Sequence, residues 1–532
     1  MSAYLVRSPS LSKTAAKSVM GTASTRPLRS SWNRSRNTRS VNGIAARPRS
    51  ITAAEGALAH LQPMDLSSIG RDVTLQSAGY CAYIWPMSNP VFYPRSVERR
   101  LVEALEDSPV VLIHGPRQCG KTTLAQITCA PNYLAWGGNH LTWGGNRLAW
   151  GHSQEDRDYR YFSFDDPVTR DGARADSTGF VADLPERVIL DEVQRVPELF
   201  EAIKISVDRQ RAPGRFLLTG STNVFLVPQL SDSLAGRLEI VPLHPLTQFE
   251  LAGRSDPSRR DADFLNALFG DGFPMFQCER LGGQLVEKIV AGGYPAALER
   301  PTPRRLANWY RGYVEALVQR DARDITRVRS LDVLPRLLRA AAAQTAQLFN
   351  LSTLASPFEL SRPSIGDYIT LLERLFLLER LPAWHSNRLK RLVKGPKLHL
   401  TDTGLAAALL GTDAKALAAD RSLLGHFLET FVFQELRRQA SWHETPTEFF
   451  HFRDKDGVET DIVIEQASGA VAGVEVKAAA TVNSTDLRGL RKLEKAVGNR
   501  FVRGVVLYDG ETSIPFGDRF HAVPISRLWR MP

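Results

Sequence analysis

Cysteine is scarce in this chain, with four residues among 532, and none are paired at the spacing of a zinc site or a disulfide framework. Long apolar runs are also lacking, because none approaches the roughly 18 residues that a membrane-spanning helix needs. These absences argue against a small disulfide-stapled domain and against a membrane protein, and they predict a cytoplasmic location. The length allows two or three domains with their own cores.

Acidic residues are rare near the N-terminus, where Glu55 is the first. Residues 1–100 contain 14 Lys or Arg against 4 Asp or Glu, whereas the other 432 residues contain 53 of each. The net charge of +10 therefore gives no reason to expect nucleic-acid binding by the rest of the chain. We expect residues 1–86 to be a disordered basic tail or sequence upstream of a start at Met87. A transit peptide or a basic arm that touches nucleic acid is the alternative.

A glycine-rich motif stands out at residues 111–123, which read VLIHGPRQCGKTT. It matches G-x-x-x-x-G-K-[ST] and directly follows an apolar run that suits a buried strand. Glycines let successive backbone N–H groups surround a phosphate, and the helix that follows directs its positive end at the anion. We expect Lys121 to reach the β- and γ-phosphates of ATP and Thr122 to bind Mg²⁺. The predicted nucleotide-binding residues are Gly115, Pro116, Arg117, Gln118, Cys119, Gly120, Lys121, Thr122 and Thr123.

Two later strands end in residues that suit the same site. The first ends in Asp191-Glu192, where Asp191 is expected to hold Mg²⁺ and Glu192 to polarise the attacking water. The second ends in Thr219-Gly220-Ser221, and ligands bind at the carboxyl ends of such strands, so Thr219 and Ser221 are expected near the γ-phosphate. Arg237 is either an arginine finger supplied to a neighbouring subunit of a homo-oligomer or a structural ion pair.

The order of elements predicts an α/β protein. Strands alternate with helices over residues 87–245, which indicates a parallel sheet covered by helices on both faces. A seven-residue tandem repeat at 134–151 (LAWGGNH, LTWGGNR) is expected to be a surface loop, with a tryptophan-lined binding loop as the alternative. A helical lid is expected over 246–333, including a helix over 304–330.

Residues 334–397 are expected to form a winged helix and a basic linker, with helices over 334–347, 351–356 and 364–378. The linker is either a DNA-phosphate patch or a solvated segment of a protein-contact domain. Its cations are Arg380, Arg388, Lys390, Arg391, Lys394 and Lys397.

A second candidate site lies in residues 398–532. Asp461 is followed by Glu475-x-Lys477, and a preceding helix over 425–439 carries Glu429 and Glu435. This spacing is typical of PD-(D/E)xK nucleases: Asp461 and Glu475 would share a divalent ion, Lys477 would stabilise developing charge, and Glu429 would assist. An inactive remnant of that fold is the alternative.

As a set, these motifs resemble the bacterial AAA-type P-loop ATPases that carry a C-terminal restriction-endonuclease-like domain of unknown function. The resemblance covers Met87 to the C-terminus, and Cys119 departs from a position that is usually small and apolar. The strings that carry it are YPR (93–95), GPRQCGKTT, FDDP (164–167), LDEVQ (190–194), LTGS (218–221), SLAGR (233–237), GGYP (292–295), QRD (319–321), TDTGL (401–405) and EVK (475–477).

Two functions are compatible with this sequence. One is an Mg²⁺-dependent ATPase that acts as a nucleotide-driven switch, with the C-terminal domain as a docking platform for protein partners. The other is an ATP-coupled nucleic-acid-processing enzyme with a metal-dependent nuclease domain.

Overall fold

The computed structural model describes residues 93–129, 159–221, 234–252, 264–322, 332–355, 358, 360–391 and 394–530. The basic tail at 1–86, Met87 and the tryptophan repeat at 134–151 lie outside these residues. None of the described helices combines the length and the apolar character that a membrane crossing requires.

A five-stranded parallel sheet forms the first part of the fold, as the alternation of strands and helices predicts. Its strand order is β2-β3-β4-β1-β5. Strand β1, which precedes the glycine-rich motif, pairs on both sides, with Val110 opposite Phe216 on β4 and opposite Leu238 on β5. The strands are β1 (Val110–His114), β2 (Arg160–Ser163), β3 (Val188–Asp191), β4 (Phe216–Gly220) and β5 (Leu238–Pro242).

Helices cover both faces of this sheet. Successive residues of a strand point to opposite faces, so each strand contributes side chains to both buried clusters. Leu112 packs into one buried cluster with Ile203, while Val111 packs into the other with Leu101 and Leu124. The helices are α1 (Glu98–Asp107), α2 (Lys121–Cys129), α3 (Pro167–Ala175), α4 (Ser177–Ala182) and α5 (Leu199–Arg209).

A helical segment follows the sheet. The predicted helix over 304–330 is observed as a helix over Pro303–Ala316 followed by a π-helical turn over Leu317–Asp321. Residues 323–331 lie outside the described part. The helices are α6 (Gln248–Leu251), α7 (Phe264–Phe269), α8 (Gly283–Ala291), α9 (Pro295–Leu298) and α10 (Pro303–Ala316).

Four helices and a three-stranded antiparallel sheet come next, in the sheet order β6-β8-β7. The first helix ends earlier than predicted, since Ala346 adopts a left-handed φ of 61° before β6. The third begins earlier, where Ser361 accepts a hydrogen bond from the Ser364 N–H. The elements are α11 (Val333–Ala343), β6 (Gln347–Leu348), α12 (Leu351–Ala355), α13 (Arg362–Arg374), β7 (Leu378–Leu381), α14 (Arg388–Arg391) and β8 (Lys397–Leu400).

The last segment contains a six-stranded mixed sheet in the order β13-β14-β12-β11-β10-β9. The helix predicted over 425–439 starts earlier, at Arg421, because the Asp420 side chain caps its first turn. The helices are α15 (Thr403–Leu410), α16 (Ala414–Ala419), α17 (Arg421–Gln439) and α18 (Arg488–Val497). The strands are β9 (Thr447–Arg453), β10 (Glu459–Gln466), β11 (Val471–Lys477), β12 (Phe501–Tyr508), β13 (Ile514–Pro515) and β14 (Phe520–Pro524).

One apolar core connects the later segments. A single cluster of buried side chains extends from Phe264 to Trp529 and includes residues of the helical segment, the three-stranded sheet and the six-stranded sheet. Since these elements share one core, a shift of one element has to be accommodated by the others.

Candidate functional site

The loop between β1 and α2 has the backbone of a phosphate-binding loop. Gln118 and Gly120 adopt positive φ angles of 63° and 96°, which turn successive peptide groups toward the start of α2. Gly115 lies against β5, and a Cβ atom at this position would lie 1.9 Å from the Leu243 carbonyl oxygen. The motif therefore needs glycine at 115 for close packing and at 120 for backbone conformation.

Lys121 is buried at the first position of α2 and points back into the loop. Its Nζ donates to the carbonyl oxygens of Gly115 at 3.1 Å and Pro116 at 2.7 Å. The ammonium thus lies inside the loop, where its hydrogen bonds hold the curve of the backbone. Thr123, which the sequence also assigned to the site, is exposed.

Asp191 connects three strand ends to α2. Its Oδ1 accepts from Thr122 Oγ1 at 2.8 Å and from the Thr219 hydroxyl, and its Oδ2 accepts from the Tyr161 hydroxyl at 2.8 Å. Burial raises the pKa of the Asp191 carboxyl, although these three hydroxyl donors act in the opposite direction. The sequence motifs placed Thr122, Asp191 and Thr219 together, but they gave no signal for Tyr161.

Glu192 follows Asp191 with a left-handed φ of 58°, and its side chain has different hydrogen-bond partners. Its carboxylate accepts from Ser221 Oγ at 2.9 Å and from the side-chain amide of Gln194. Burial raises the pKa of this carboxyl, but the positive charges of Lys121 and Arg117, together with the hydrogen bonds from Gln194 and Ser221, outweigh it and hold the pKa below its usual value. Glu192 is therefore ionised at neutral pH and can accept a proton.

Arg95 supports the loop from behind, a role that the sequence motifs did not reveal. Its Nη1 donates to the Cys119 carbonyl at 2.6 Å, and its Nη2 donates to the His244 carbonyl at 2.6 Å. The Cys119 side chain is buried, and its thiol donates to the Pro116 carbonyl at 3.0 Å. The sulfur therefore does not face the phosphate side of the loop. From the helical segment, Tyr313 donates to the Arg117 carbonyl at 3.2 Å.

Arg237 lies at the surface and pairs within its own chain. Its Nε is 2.5 Å from Asp208 Oδ1 on α5, and both side chains are partly exposed. This contact is an ion pair within one chain, and an arginine finger supplied to a neighbouring subunit stays a prediction. The described residues give no contact between Arg237 and Lys121, Asp191 or Glu192.

The four residues of the second candidate site also come together. Val476 N–H donates to Asp461 at 2.9 Å, and Lys477 Nζ is 2.9 Å from Glu475 Oε1. A fifth residue that the sequence analysis had placed in the basic linker, Lys397, lies among them with its Nζ 2.7 Å from Glu429 Oε1. Glu435, on the same helix, instead points away and accepts from the backbone N–H of Gln248.

Burial dominates the acid–base properties of this cluster. It raises the pKa of the Glu475 carboxyl to about 8, with the charge of Asp461 adding to the effect. It also raises the pKa of Glu429 well above the usual range. Across the described ranges, no group of three or more His, Cys, Asp or Glu side chains is arranged to hold a metal ion.

The basic linker is not a continuous cationic surface. Arg380 pairs with Glu373, Arg391 pairs with the buried Glu465, and Lys397 is buried in the acidic cluster. The phosphate patch of six cations, one of the two alternatives for the linker, is therefore reduced, because three of the cations form ion pairs within the chain. Arg380 is exposed but paired, and the exposed cations outside these three ion pairs are Arg388, Lys390 and Lys394.

Three family models match successive parts of the chain. Residues 107–252 match a family described as AAA domain. Residues 282–416 match Domain of unknown function DUF8612, and residues 424–528 match Domain of unknown function DUF4143. The first match includes the whole phosphate loop together with Asp191 and Glu192.

Curated relatives cover most of the chain. Uncharacterized protein Rv2008c of Mycobacterium tuberculosis and Uncharacterized protein Mb2031c of Mycobacterium bovis are each 28% identical over 438 residues, which is 82% of this chain and 84% of theirs. The relationship therefore extends well beyond the AAA domain.

Solved structures give looser likenesses. The Walker-type ATPase PABY2304 of Pyrococcus abyssi is 16% identical, with a TM-score of 0.32 over 59% of this chain and 94% of that one. AMPPCP-bound DnaA from Aquifex aeolicus is 14% identical, with a TM-score of 0.23 over 52% and 86%. The family match over residues 107–252, together with the geometry of the phosphate loop, supports an AAA-type P-loop ATPase domain in this chain.

Proposed function

We propose that this chain hydrolyses ATP in an Mg²⁺-dependent reaction and uses the nucleotide to switch the arrangement of the domains that follow. One observation carries the proposal. Thr122, Asp191 and Glu192 meet at the carboxyl ends of the parallel strands, with Thr122 Oγ1 2.8 Å from Asp191 Oδ1 and Glu192 held beside them. Magnesium binding and water activation need these three groups within one small volume.

The residues of the loop divide the chemistry between them. Backbone N–H groups at the start of α2 bind phosphate oxygens, and Lys121 exchanges the Gly115 and Pro116 carbonyls for phosphate when the nucleotide enters. Thr122 and Asp191 would hold Mg²⁺, which supplies positive charge to the phosphates. Glu192, ionised and fixed by Ser221, orients the attacking water and accepts its proton.

The proposed switch rests on contacts that leave the loop toward the later domains. Tyr313 on α10 donates to the Arg117 carbonyl, so a change in the loop backbone acts directly on this helix. Helix α10 packs against α15, and its Tyr310 donates to Asp402 at the start of that helix. A movement at the nucleotide site therefore has a physical route to the C-terminal half.

The element order beyond the lid supports the domains expected from the sequence. Helices with a three-stranded antiparallel sheet, in the order α11-β6-α12-α13-β7-α14-β8, suit a winged helix. Helix α17 followed by β9, β10, β11, α18 and β12, with β11 and β12 parallel, suits a restriction-endonuclease-like core. We include both in the proposal as modules moved by the switch.

ATP turnover by the full chain tests the catalytic part. We expect Lys121→Ala to abolish nucleotide binding and turnover. Glu192→Gln should keep nucleotide binding and lose about 100-fold or more in turnover, because general-base catalysis contributes 10²–10⁴-fold. Glu103→Gln, at an exposed position of α1, is the control and should keep wild-type turnover. Wild-type turnover in Glu192→Gln would refute the assigned base.

Hydrogen exchange tests the switch. A non-hydrolysable ATP analogue should change amide protection in α10 and α15 of the full chain as well as in the loop. Tyr313→Phe removes the hydroxyl that contacts the Arg117 carbonyl and the Tyr294 hydroxyl, so we expect the loop to respond as before and the remote response to shrink. A response confined to the loop in the wild type would contradict the switch and leave the ATPase intact.

A nucleic-acid partner is the second candidate. Arg388, Lys390 and Lys394 are exposed in the connection between β7 and β8, which is the wing of the proposed winged helix. If this surface binds DNA phosphates, the triple alanine variant should bind duplex DNA more weakly and with a shallower salt dependence. DNA binding equal to that of the wild type would leave protein partners as the candidate for this module.

A further inference from the structure

Lys397 occupies the centre of the acidic cluster formed by Glu429, Glu459, Asp461 and Glu475. Its Nζ is 2.7 Å from Glu429 Oε1, 3.5 Å from Asp461 Oδ1 and 3.7 Å from Glu459 Oε2. The side chain is only 3% exposed, so solvent does not take its place. A single ammonium thus contacts three carboxylates that come from α17 and β10.

Each carboxylate of the cluster has a cationic partner within the protein. Beyond Lys397, Lys477 lies 2.9 Å from Glu475, and Arg453 lies 2.7 Å from Glu459. Three cations therefore face four carboxylates, and a buried carboxylate is tolerated only where such partners compensate it. The ammonium lies between Glu429 and Asp461, where a divalent ion shared by these two carboxylates would lie.

Lys397 belongs to a different part of the fold from the carboxylates that it contacts. Lys397 is the first residue of β8 in the three-stranded sheet, whereas Asp461 belongs to the six-stranded sheet and Glu429 to α17. The same strand pairs with β7 through Leu381. The ion pairs therefore join two structural modules, which are also connected by apolar packing and by the pair of Arg391 with Glu465.

We propose that the Lys397 ammonium takes the position of the divalent cation in this nuclease-like constellation, and that the acidic cluster is an ion-pair clamp between β8 and the C-terminal sheet. The cluster then binds no Mg²⁺ and performs no metal-dependent cleavage. This inference does not depend on the ATPase, because it concerns residues remote in sequence from the phosphate loop.

Manganese binding tests the metal-free state. The full chain is titrated with Mn²⁺ without nucleotide, and bound Mn²⁺ is counted by electron paramagnetic resonance. We expect the wild type and Asp461→Asn to bind the same amount of Mn²⁺, because the wild-type cluster holds none. Lys397→Met deletes the charge while keeping much of the side-chain volume, and it should create a Mn²⁺ site that the double variant with Asp461→Asn loses. A wild-type site that disappears in Asp461→Asn would overturn the proposal.

Thermal unfolding tests the clamp. Because Lys397→Met leaves buried carboxylates without their partner, we expect the Tm to fall by about 5 °C or more, and added Mn²⁺ should restore part of it. Lys415→Met, at an exposed position of α16, should leave the Tm unchanged. If Lys397→Met does not fold, Lys397→Met/Glu429→Gln removes one uncompensated charge and should recover the fold. A Tm equal to that of the wild type in Lys397→Met would refute the clamp.

Discussion

Arg95 and Glu250 form a buried ion pair, with Nε 3.0 Å from Oε1 and side chains that are 9% and 2% exposed. Arg95 precedes the first helix of the parallel sheet, and Glu250 lies in α6, 155 residues later. The same guanidinium holds the Cys119 carbonyl, so the pair fixes the phosphate loop from its back. Two segments distant in sequence thereby determine the shape of one loop.

Replacing Arg95 with Met should destabilise the protein and weaken nucleotide binding together. Glu250 is left buried without its partner, which costs about 3–5 kcal/mol for a buried pair. Urea unfolding and titration with a fluorescent ATP analogue measure the two effects. Arg99→Met is the control, because the Arg99–Glu103 pair is exposed and contributes about 0–1 kcal/mol. Similar losses in both variants would show that the position of Arg95 has no special role.

Two glycine substitutions should have opposite effects. Gly115→Ala places a methyl group 1.9 Å from the Leu243 carbonyl oxygen, so the loop must move away from β5 and nucleotide binding should be lost. Gly172→Ala, within α3, meets no atom within 4 Å and should stabilise the protein by about 0.5–1 kcal/mol. Thermal unfolding and analogue binding distinguish the two. Unchanged binding in Gly115→Ala would contradict the close approach of the loop to β5.

Glu435 should make stability depend on pH. Burial raises the pKa of its carboxyl from 4.5 to about 7. Between these pH values the folded chain retains a proton that the unfolded chain has released, so stability falls as pH rises, by about 3 kcal/mol across the window.

The isosteric variant Glu435→Gln measures that contribution. It keeps an acceptor for the Gln248 N–H but does not titrate, so its stability relative to the wild type should rise between pH 4.5 and 7 and then level off. Urea unfolding at several pH values gives the difference. If the unfolding free energies of the two proteins changed in parallel with pH, the folded chain would not retain a proton on Glu435 in this pH window.

The buried pair of Asp402 and Arg438 should show strong coupling. Arg438 Nη2 lies 3.2 Å from Asp402 Oδ2, and the side chains are 6% and 0% exposed. Asp402 also accepts from the Gly293 N–H and the Tyr310 hydroxyl. We expect Arg438→Met to cost about 3–5 kcal/mol, and Arg438→Met/Asp402→Asn to cost clearly less than the sum of the single variants. Additive losses in unfolding free energy would exclude the coupling.

Much of the nucleotide site followed from local sequence. The phosphate loop needs glycines at fixed spacing beside Lys121, and the strand ending in Asp191-Glu192 is recognisable by its apolar run. The alternation of strands and helices likewise led to the parallel sheet that the structure contains. Helix ends were less accurate, because the positive φ of Ala346 and the cap at Ser361 depend on neighbouring segments.

The partners of charged side chains did not follow from sequence. The linker cations looked equivalent along the chain, yet Arg391 and Lys397 are buried against acids that are 74 and 32 residues away. Arg95 gave no sign of its contacts with the loop, and Tyr161 gave none of its bond to Asp191. Ion pairing is set by which strands and helices pack together, and periodicity along one segment carries no information about that.

The sequence by itself determined which segments form the phosphate loop, the parallel strands and the helices, because those choices depend on residue type and spacing over a few neighbours. The tertiary structure alone decided that Arg95 supports the loop, that Arg237 pairs with Asp208 and that Lys397 enters the acidic cluster. A buried charge must find a partner wherever the fold places one, and long-range packing fixes that place.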